Sequence, residues 1–387
     1  MSRLRELMEE LCPNGVEYKK LGDVLRICNG GDYKKFGEGT IPVYGSGGIM
    51  TYIDTYVYDE PSVLIPRKGS LDKLYYVDVP FWTVDTIFYT KISKIVSPRF
   101  VFFYLQTQHL ERLNKAGGVP SLTKSVLNKI LIPVPPLKIQ NEIVKLLDSF
   151  TELTTELTTE LTLRKKQYNF YRDSLLNFVR VDDTIVRTDR QVQRISKFGL
   201  WRKDFDVEWK TLGEVCTLVS GGDVPKEAFS QYFTEVYNIP IYSNGVGGKD
   251  LYGFTNVPRI TQPCVTIAAR GTIGYSALRM KPFYPVIRLI CAIPCEVVDV
   301  KYLFYILQMT AFKTPRTGIP QLTIPMVRCY PIPVPPLDVQ QKIVSILDRF
   351  DALCNDLTNG LPAEIAARKK QYEHYRDKLL TFPRSNG

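Results

Sequence analysis

Most of this chain is written twice, at a spacing close to 200 residues. Val16-Glu-Tyr-Lys-Lys-Leu-Gly-Asp-Val returns as Val207-Glu-Trp-Lys-Thr-Leu-Gly-Glu-Val, and both copies run on to Gly-Gly-Asp, at Gly30 and Gly221. Ile41-Pro-Val-Tyr44 returns as Ile239-Pro-Ile-Tyr242, and Pro61 to Leu71 returns as Pro263 to Ile273, the offset drifting from 191 to 202 as insertions accumulate. The closing segments match best. Pro133-Val-Pro-Pro-Leu to Phe150 mirrors Pro333-Val-Pro-Pro-Leu to Phe350, and Arg164-Lys-Lys-Gln-Tyr168 mirrors Arg368-Lys-Lys-Gln-Tyr372. A period this long excludes a solenoid of short repeats. It describes one domain plus one helix, used twice.

Within each copy the early part alternates short β-branched and aromatic runs (Ser62 to Ile65, Lys73 to Val77, Val265 to Ala268) with Gly and Pro turns, the pattern of a mixed α/β (α+β) domain. A helix then starts after Pro-Pro. Ile139, Ile143, Leu146, Phe150, Leu153, Leu157 and Leu161 recur every three or four residues and form one apolar stripe. Val339, Ile343, Ile346, Phe350, Leu353 and Leu357 repeat it. A helix from Leu137 to Phe178 is about 63 Å long at 1.5 Å per residue, more than one domain can cover. The economical solution packs the two long helices together as an antiparallel coiled coil with pseudo-twofold symmetry and a globular domain at either end. Gly360-Leu-Pro362 should kink or restart the second helix.

Composition removes several function classes. The 387 residues allow two or three domains, and 44 % apolar with 23 % charged residues is ordinary for a folded protein. No apolar run approaches the ~18–20 residues of a membrane span, and the start, Met1-Ser-Arg-Leu-Arg-Glu, lacks the apolar core of a signal peptide, so a cytoplasmic location without membrane contact is expected. The eight cysteines contain no Cys-x-x-Cys pair, and in that compartment they should stay thiols. There is no phosphate-binding Gly-x-x-x-x-Gly-Lys loop, no Gly-x-Gly-x-x-Gly and no Asn-Pro-Pro-aromatic motif. The only histidines are His109, in an apolar stretch read as helix from Phe102 to Leu113, and His374, among Tyr and Arg residues; neither has a metal-ligand partner. Lys and Arg exceed Asp and Glu by 50 to 40, a +10 excess that suits a polyanionic partner.

These residues resemble a known family, the specificity (S) subunits of type I DNA restriction-modification systems. The likeness covers nearly the whole chain: Cys12-Pro-Asn-Gly-Val-Glu-Tyr18, the two Gly-Gly turns, both Pro-x-Pro-Pro helix starts and both Arg-Lys-Lys-Gln-Tyr segments. It implies a non-catalytic subunit with two tandem target-recognition domains, each reading one half of an asymmetric split site in double-stranded DNA. It also implies helices that dock two methyltransferase (M) subunits and, through them, restriction (R) subunits. S-adenosylmethionine, ATP and Mg then belong to those partners, and this chain binds no cofactor or metal. The corresponding division is 1–134 for the first recognition domain, 135–180 for the central helix, 181–205 for a linker, 206–334 for the second recognition domain and 335–387 for the distal helical region. A stand-alone DNA-modifying enzyme and a coiled-coil scaffold are the competing readings; an RNA-binding variant is a weaker one.

Three consecutive tetrapeptides, Thr151-Glu-Leu-Thr, Thr155-Glu-Leu-Thr and Thr159-Glu-Leu-Thr, are similar to the variable repeats of one subgroup, in which repeat number sets the spacer between half-sites. Thr151, Leu153, Thr155, Leu157, Thr159 and Leu161 would form that ruler. Four helical residues add about 6 Å and leave a net turn of about 40°, against about 3.4 Å and roughly 35° for one base-pair step. The rotations agree; the translations agree only if the helices run obliquely or their ends readjust. Coiled-coil filler is the plain alternative.

If the resemblance holds, DNA contacts fall in the two domains. Candidates are Lys34, Lys35, Tyr44, Ser46, Arg67, Lys68 and Lys115 in the first, and Lys226, Tyr242, Asn244, Arg270, Lys313, Arg316 and Gln321 in the second. Lys and Arg serve phosphates or guanine edges, Asn and Gln suit adenine, and Gly turns admit the backbone to phosphate. A basic residue precedes Gly in both Lys68-Gly69 and Arg270-Gly271, and Gly118-Val-Pro-Ser-Leu-Thr123 recurs as Gly318-Ile-Pro-Gln-Leu-Thr323. Any one lysine is more often a solvated surface charge, and a shared fold alone would give the recurrence. Arg164, Gln167, Tyr168, Arg368, Gln371 and Tyr372 are read as helix-packing and methyltransferase-docking residues, with a solvated basic face as the alternative.

Overall fold

The computed structural model describes residues 2–114, 120–178, 207–314 and 320–384. The expected 181–205 linker, Lys115 and Arg316 lie outside the described residues. The first copy runs α1 (Ser2–Leu11), β1 (Tyr18–Lys20), α2 (Leu21–Val24), β2 (Leu25–Asn29), β3 (Glu38–Gly45), β4 (Gly48–Ile53), β5 (Ser62–Pro66), β6 (Tyr75–Val77), β7 (Trp82–Thr83), β8 (Ile87–Ile92), α3 (Pro98–Thr107), α4 (Lys124–Leu127), β9 (Leu131–Pro133) and α5 (Leu137–Leu176). The second runs β10 (Glu208–Thr211), α6 (Leu212–Val215), β11 (Cys216–Ser220), β12 (Ile239–Tyr242), β13 (Leu251–Thr255), β14 (Cys264–Ala268), β15 (Ser276–Arg279), β16 (Tyr284–Pro285), β17 (Leu289–Pro294), α7 (Val300–Met309), α8 (Ile324–Arg328), β18 (Pro331–Val334), α9 (Leu337–Asn355) and α10 (Leu361–Leu379).

The sheets repeat as the sequence does. In the first copy they are ordered β1-β9, β2-β8-β5-β6 and β4-β3-β7; in the second, β10-β18, β11-β17-β14-β15 and β13-β12-β16. All neighbours are antiparallel except β3 with β7 and β12 with β16, which are parallel. The central strands β5 and β14 are buried at every residue, which is why both read as unbroken runs rather than alternating ones.

The chain forms two compact units that interleave in sequence. One takes the described residues up to Thr159 together with Ala363 to Arg384; the other takes Glu160 to Pro362. In the first unit Ile139, Ile143 and Leu147 of α5 are sealed into a core with Val63, Ile65, Phe100, Phe103 and Ile132, and Leu379, Leu380 and Phe382 join from the end of the chain. Phe150 stacks on Tyr375 at 5.4 Å. Past α10, Val16 N–H donates to Pro383 O (2.9 Å) and the Tyr18 hydroxyl to Phe382 O (3.1 Å). The second unit is built alike from the distal half of α5 and from α9. Val339, Ile343 and Leu347 are buried with Tyr168, Leu175 and Leu176, and Phe350 stacks on Tyr171 at 5.2 Å. In each unit the paired helices run antiparallel: Tyr171 meets Phe350 while Tyr168 lies near Cys354, and Phe150 meets Tyr375 while Thr159 shares a groove with Lys369. Such stacks contribute about 0.5–1.5 kcal/mol each beyond area burial.

Two expectations need correction. The second apolar stripe ends early, since α9 stops at Asn355 and leaves Leu357 at 80 % exposure and Leu353 at 37 %, with Cys354 buried instead. The cause is local. The Asp356 carboxylate accepts Thr358 N–H (2.7 Å), Thr358 Oγ1 and Asn359 N–H, turning the chain before α10 restarts at Leu361. His109 is not in a helix either: α3 ends at Thr107, and His109 takes φ +47 before a 3-10 turn.

Each long helix is pinned to its domain by one buried glutamine. Gln140 Oε1 accepts Ser97 N–H (2.7 Å), while its amide donates to Ile95 O (3.0 Å) and Pro135 O (2.7 Å). Gln340 does the same with Asp299 N–H (2.8 Å), Val297 O (2.9 Å) and Pro335 O (2.8 Å). Leucine at either position would leave one donor and two acceptors without partners. Gln140→Leu should therefore cost about 2–4 kcal/mol, visible as a lower midpoint in chemical denaturation; a midpoint unchanged within error would contradict the pinning.

Candidate nucleic-acid interface

Three separate loops meet at one rim of each domain. In the second domain they are the turn after β12, the segment after β14 and the stretch just before α8. The Asn244 side-chain amide donates to Arg270 O (2.7 Å), Thr272 Oγ1 donates to Asn244 O (2.6 Å), and Arg270 Nε donates to Gln321 Oε1 (2.8 Å). Leu322 N–H closes the arrangement on Ala269 O (2.8 Å). Asn244, Arg270 and Gln321, picked separately from the sequence, are thus hydrogen-bonded neighbours.

The first domain builds the same rim with other side chains. Leu122 N–H donates to Arg67 O (2.9 Å), Gly69 N–H to Pro120 O (3.2 Å), and Lys68 bridges to Ser121. Ser46 N–H donates to Thr86 Oγ1 (3.3 Å), and the Tyr75 hydroxyl to Ser46 O (3.3 Å). Lys68 Nζ lies 3.8 Å from the Asp85 carboxylate, and the Arg67 guanidinium donates to Asp85 O (3.3 Å). Lys68 is exposed, so that ion pair is screened and holds it only weakly. Gly69 and Gly271 take φ +83 and +73, which lets the chain turn back at the rim.

Other candidates lie elsewhere. Lys34 and Lys35 are exposed in the loop between β2 and β3, where Lys34 N–H is tied to Asp32 (3.1 Å) and Lys35 lies 5.1 Å from the Phe36 ring. Lys226 is exposed in a short 3-10 turn, and Lys313 is exposed with its N–H on the Tyr330 oxygen. Tyr44 and Tyr242 are half-buried. Tyr44 packs against Tyr75 and Phe81, and burial pushes its phenol above the ordinary value. Tyr242 lies under Arg279 at 3.7 Å, and Arg279 is paired with Asp250 at 2.6 Å. Asp85, Thr86 and Thr272 belong to the rims and were missed; aligning Val84-Asp-Thr-Ile87 with Val286-Ile-Arg-Leu289 would have pointed to the first two.

On the helices, Tyr168 is 8 % exposed in the second unit's core, and the Tyr372 hydroxyl donates to Gln106 (2.8 Å) in the first unit. Arg164 donates to Gln167 (3.1 Å) and lies 3.4 Å from Glu160; Arg368 donates to Gln371 (3.0 Å) and lies 3.4 Å from Glu364. The tyrosines are therefore taken up by packing, and Lys165, Lys166, Lys369 and Lys370 face outward. In the Thr-Glu-Leu-Thr segment Leu153, Leu157 and Leu161 are half-buried, while Thr151, Thr155 and Thr159 line a groove of about 430 Å³ with Arg99, Lys369 and Tyr372. Among the described residues no group of His, Cys, Asp and Glu is arranged to hold a metal ion, and no helix is long and apolar enough to cross a membrane.

Comparison with known proteins agrees with this duplicated build. The family model for the type I restriction modification DNA specificity domain matches twice, over residues 13–164 and 206–367. A Mycoplasma pneumoniae protein named as a type I specificity subunit is 33 % identical over 348 residues, 86 % of this chain and 97 % of its own length. The Escherichia coli EcoR124I/EcoR124II specificity subunit is 34 % identical over 313 residues, 74 % of this chain and 71 % of its own. Among solved structures, the S subunit of a type I restriction-modification system from M. genitalium superposes with a TM-score of 0.60 at 16 % identity, covering 95 % of this chain and 96 % of that one.

The rim geometry is itself testable. A Cβ on Gly271 would sit 2.7 Å from the Asn244 side-chain nitrogen on a backbone at φ +73. Gly271→Ala should therefore destabilise the chain by about 1–2 kcal/mol, read as a lower thermal midpoint than wild type.

Proposed function

We propose that this chain, which belongs to the specificity subunits of type I DNA restriction-modification systems, reads an asymmetric bipartite site in double-stranded DNA, one half with each domain. The observation that carries this reading is the pair of rims. One backbone arrangement is built twice, and its side chains differ: Ser46, Lys68 and Ser121 in one domain, Asn244, Arg270 and Gln321 in the other. Two like frames with unlike donors and acceptors suit two different base sequences. Because the domains are tethered, the binding of one raises the effective concentration of the other, and two modest contacts give one specific site.

The remaining roles follow the family. The two Arg-Lys-Lys-Gln-Tyr segments, through Arg164, Gln167, Arg368 and Gln371, would dock methyltransferase subunits and, through them, restriction subunits, with Tyr168 and Tyr372 taken up by helix packing. Methyl transfer and cleavage, with S-adenosylmethionine, ATP and Mg, are assigned to those partners in the cytoplasm, and this chain performs no catalysis. The Thr-Glu-Leu-Thr repeats act as the spacer ruler. The chain passes between its two compact units twice, within α5 and at Pro362 to Ala363.

Methylome sequencing of cells that express this chain with its methyltransferase tests the reading. One asymmetric bipartite motif is expected, and deletion of Thr155 to Thr158 should shorten its spacer while both half-sites stay the same. Duplex binding by the assembled complex should weaken steeply with salt, since Lys and Arg displace condensed counterions. A spacer unaltered by the deletion would overturn the ruler; methylation without a bipartite motif would overturn the two-domain reading.

A further inference from the structure

Arg288 sits where an L side chain rarely sits. It lies in the turn between β16 and β17 with φ +91, beyond the small left-handed region open to non-glycine residues. The turn is held from several sides. Val286 N–H donates to Tyr242 O (3.0 Å), Ile287 N–H to Gly222 O (2.7 Å) and Gly222 N–H to Pro285 O (3.0 Å). Arg288 O itself accepts Ala269 N–H (2.7 Å), one residue before Arg270. The surrounding hydrogen bonds thus impose a conformation that glycine would adopt more cheaply.

The counterpart in the first domain makes the choice of arginine informative. There Thr86 O accepts Arg67 N–H (2.9 Å) in the same way, but Thr86 is outside the positive-φ region, and its hydroxyl is used internally by Ser46 N–H. The preceding residue is Asp85, which lies beside Lys68; at the matching place in the second domain stands Ile287, 57 % exposed. Arg288 is exposed, and among the described residues its guanidinium has no hydrogen-bond or ion-pair partner. Strain in the backbone therefore brings no internal contact, and what the position gains is an unpaired guanidinium on the rim that carries Arg270 and Gln321.

We propose that Arg288 is a specificity-determining residue of the second domain, its guanidinium fork reading a base edge with two acceptors, as guanine presents in the major groove. The proposal rests on the rims facing DNA.

The test uses the full chain co-expressed with its methyltransferase subunits, read by methylome sequencing and by thermal denaturation. Arg288→Gly suits φ +91, so its thermal midpoint should not fall below wild type, while one position of the second half-site loses discrimination by on the order of 10- to 100-fold and the first half-site is unchanged. Arg288→Lys keeps the charge but not the fork and should also relax that position. An unaltered motif in both variants overturns the proposal. If Arg270→Ala still changes the second half-site in that case, only the role of Arg288 falls. If Arg270→Ala also changes nothing, the reading of the rim as the DNA-facing surface falls with it.

Discussion

A forty-residue helix with an apolar stripe is too long for one small domain to cover, and the rest of the structure answers that constraint. Helix α5 gives its first half to one compact unit and its second half to the other. Each half is then covered by a segment from the far end of the chain, α10 on the first and α9 on the second. The result is reciprocal: Phe150 stacks on Tyr375 and Phe350 on Tyr171. Neither unit is a contiguous stretch of sequence. The core of the first therefore depends on Leu379, Leu380 and Phe382, the last apolar residues before the chain ends. Truncation after α9 would remove part of that core, although the globular domain lies hundreds of residues earlier.

The duplication keeps the frame and frees the surface. Buried positions are constrained twice over, by packing and by hydrogen bonding, so Gln140 and Gln340 make equivalent sets of three bonds. The anchoring charges vary more, with Arg99 on Asp148 in one copy and Lys301 on Asp348 in the other. At the rims only the backbone bonds persist, such as Leu122 N–H to Arg67 O and Leu322 N–H to Ala269 O. The side-chain bonds that join the rim loops differ between the copies, Thr86 Oγ1 accepting Ser46 N–H in one and the Asn244 amide donating to Arg270 O in the other, so the backbone frame is shared while the side chains are free to diverge.

Much of this was legible in the sequence because repeats and apolar periodicity report directly on burial. The α5 stripe and the restart near Gly360-Leu-Pro362 fall in that class, whereas the meeting of Asn244, Arg270 and Gln321 shows only in the folded chain. What was not legible depended on a single competing local interaction. Leu357 fits the helical spacing, yet Asp356 captures the next backbone amides and the stripe stops. His109 follows an apolar helix pattern, but the helix ends two residues before it. Arg288 left no local trace, since its significance is a dihedral angle set by hydrogen bonds from Ala269 and Gly222, distant in sequence. Lys115 and Arg316 fall outside the described residues.

The composition of the tetrapeptides has a physical logic apart from their number. Threonine is a mediocre helix former because its hydroxyl competes for backbone groups and its branched Cβ stiffens χ1. Here the hydroxyls turn back onto their own helix: Thr151 on Leu147 O, Thr154 on Phe150 O, Thr155 on Thr151 O and Thr159 on Thr155 O, at 2.9–3.0 Å. Thr155 and Thr159 thus draw their acceptors from the preceding tetrapeptide. A repeat can be added or removed without orphaning a polar group, because its successor finds the same carbonyl four residues back. The groove side is equally uniform, since Thr151, Thr155 and Thr159 present the same side chain toward Lys369 and Tyr372. A leucine-and-charge helix would have to re-match its neighbours after each change of length. A threonine ladder that satisfies its own hydroxyls asks no polar partner of its neighbours, so a change of repeat number leaves only a shift of about 6 Å and a residual turn of about 40° per repeat to be met.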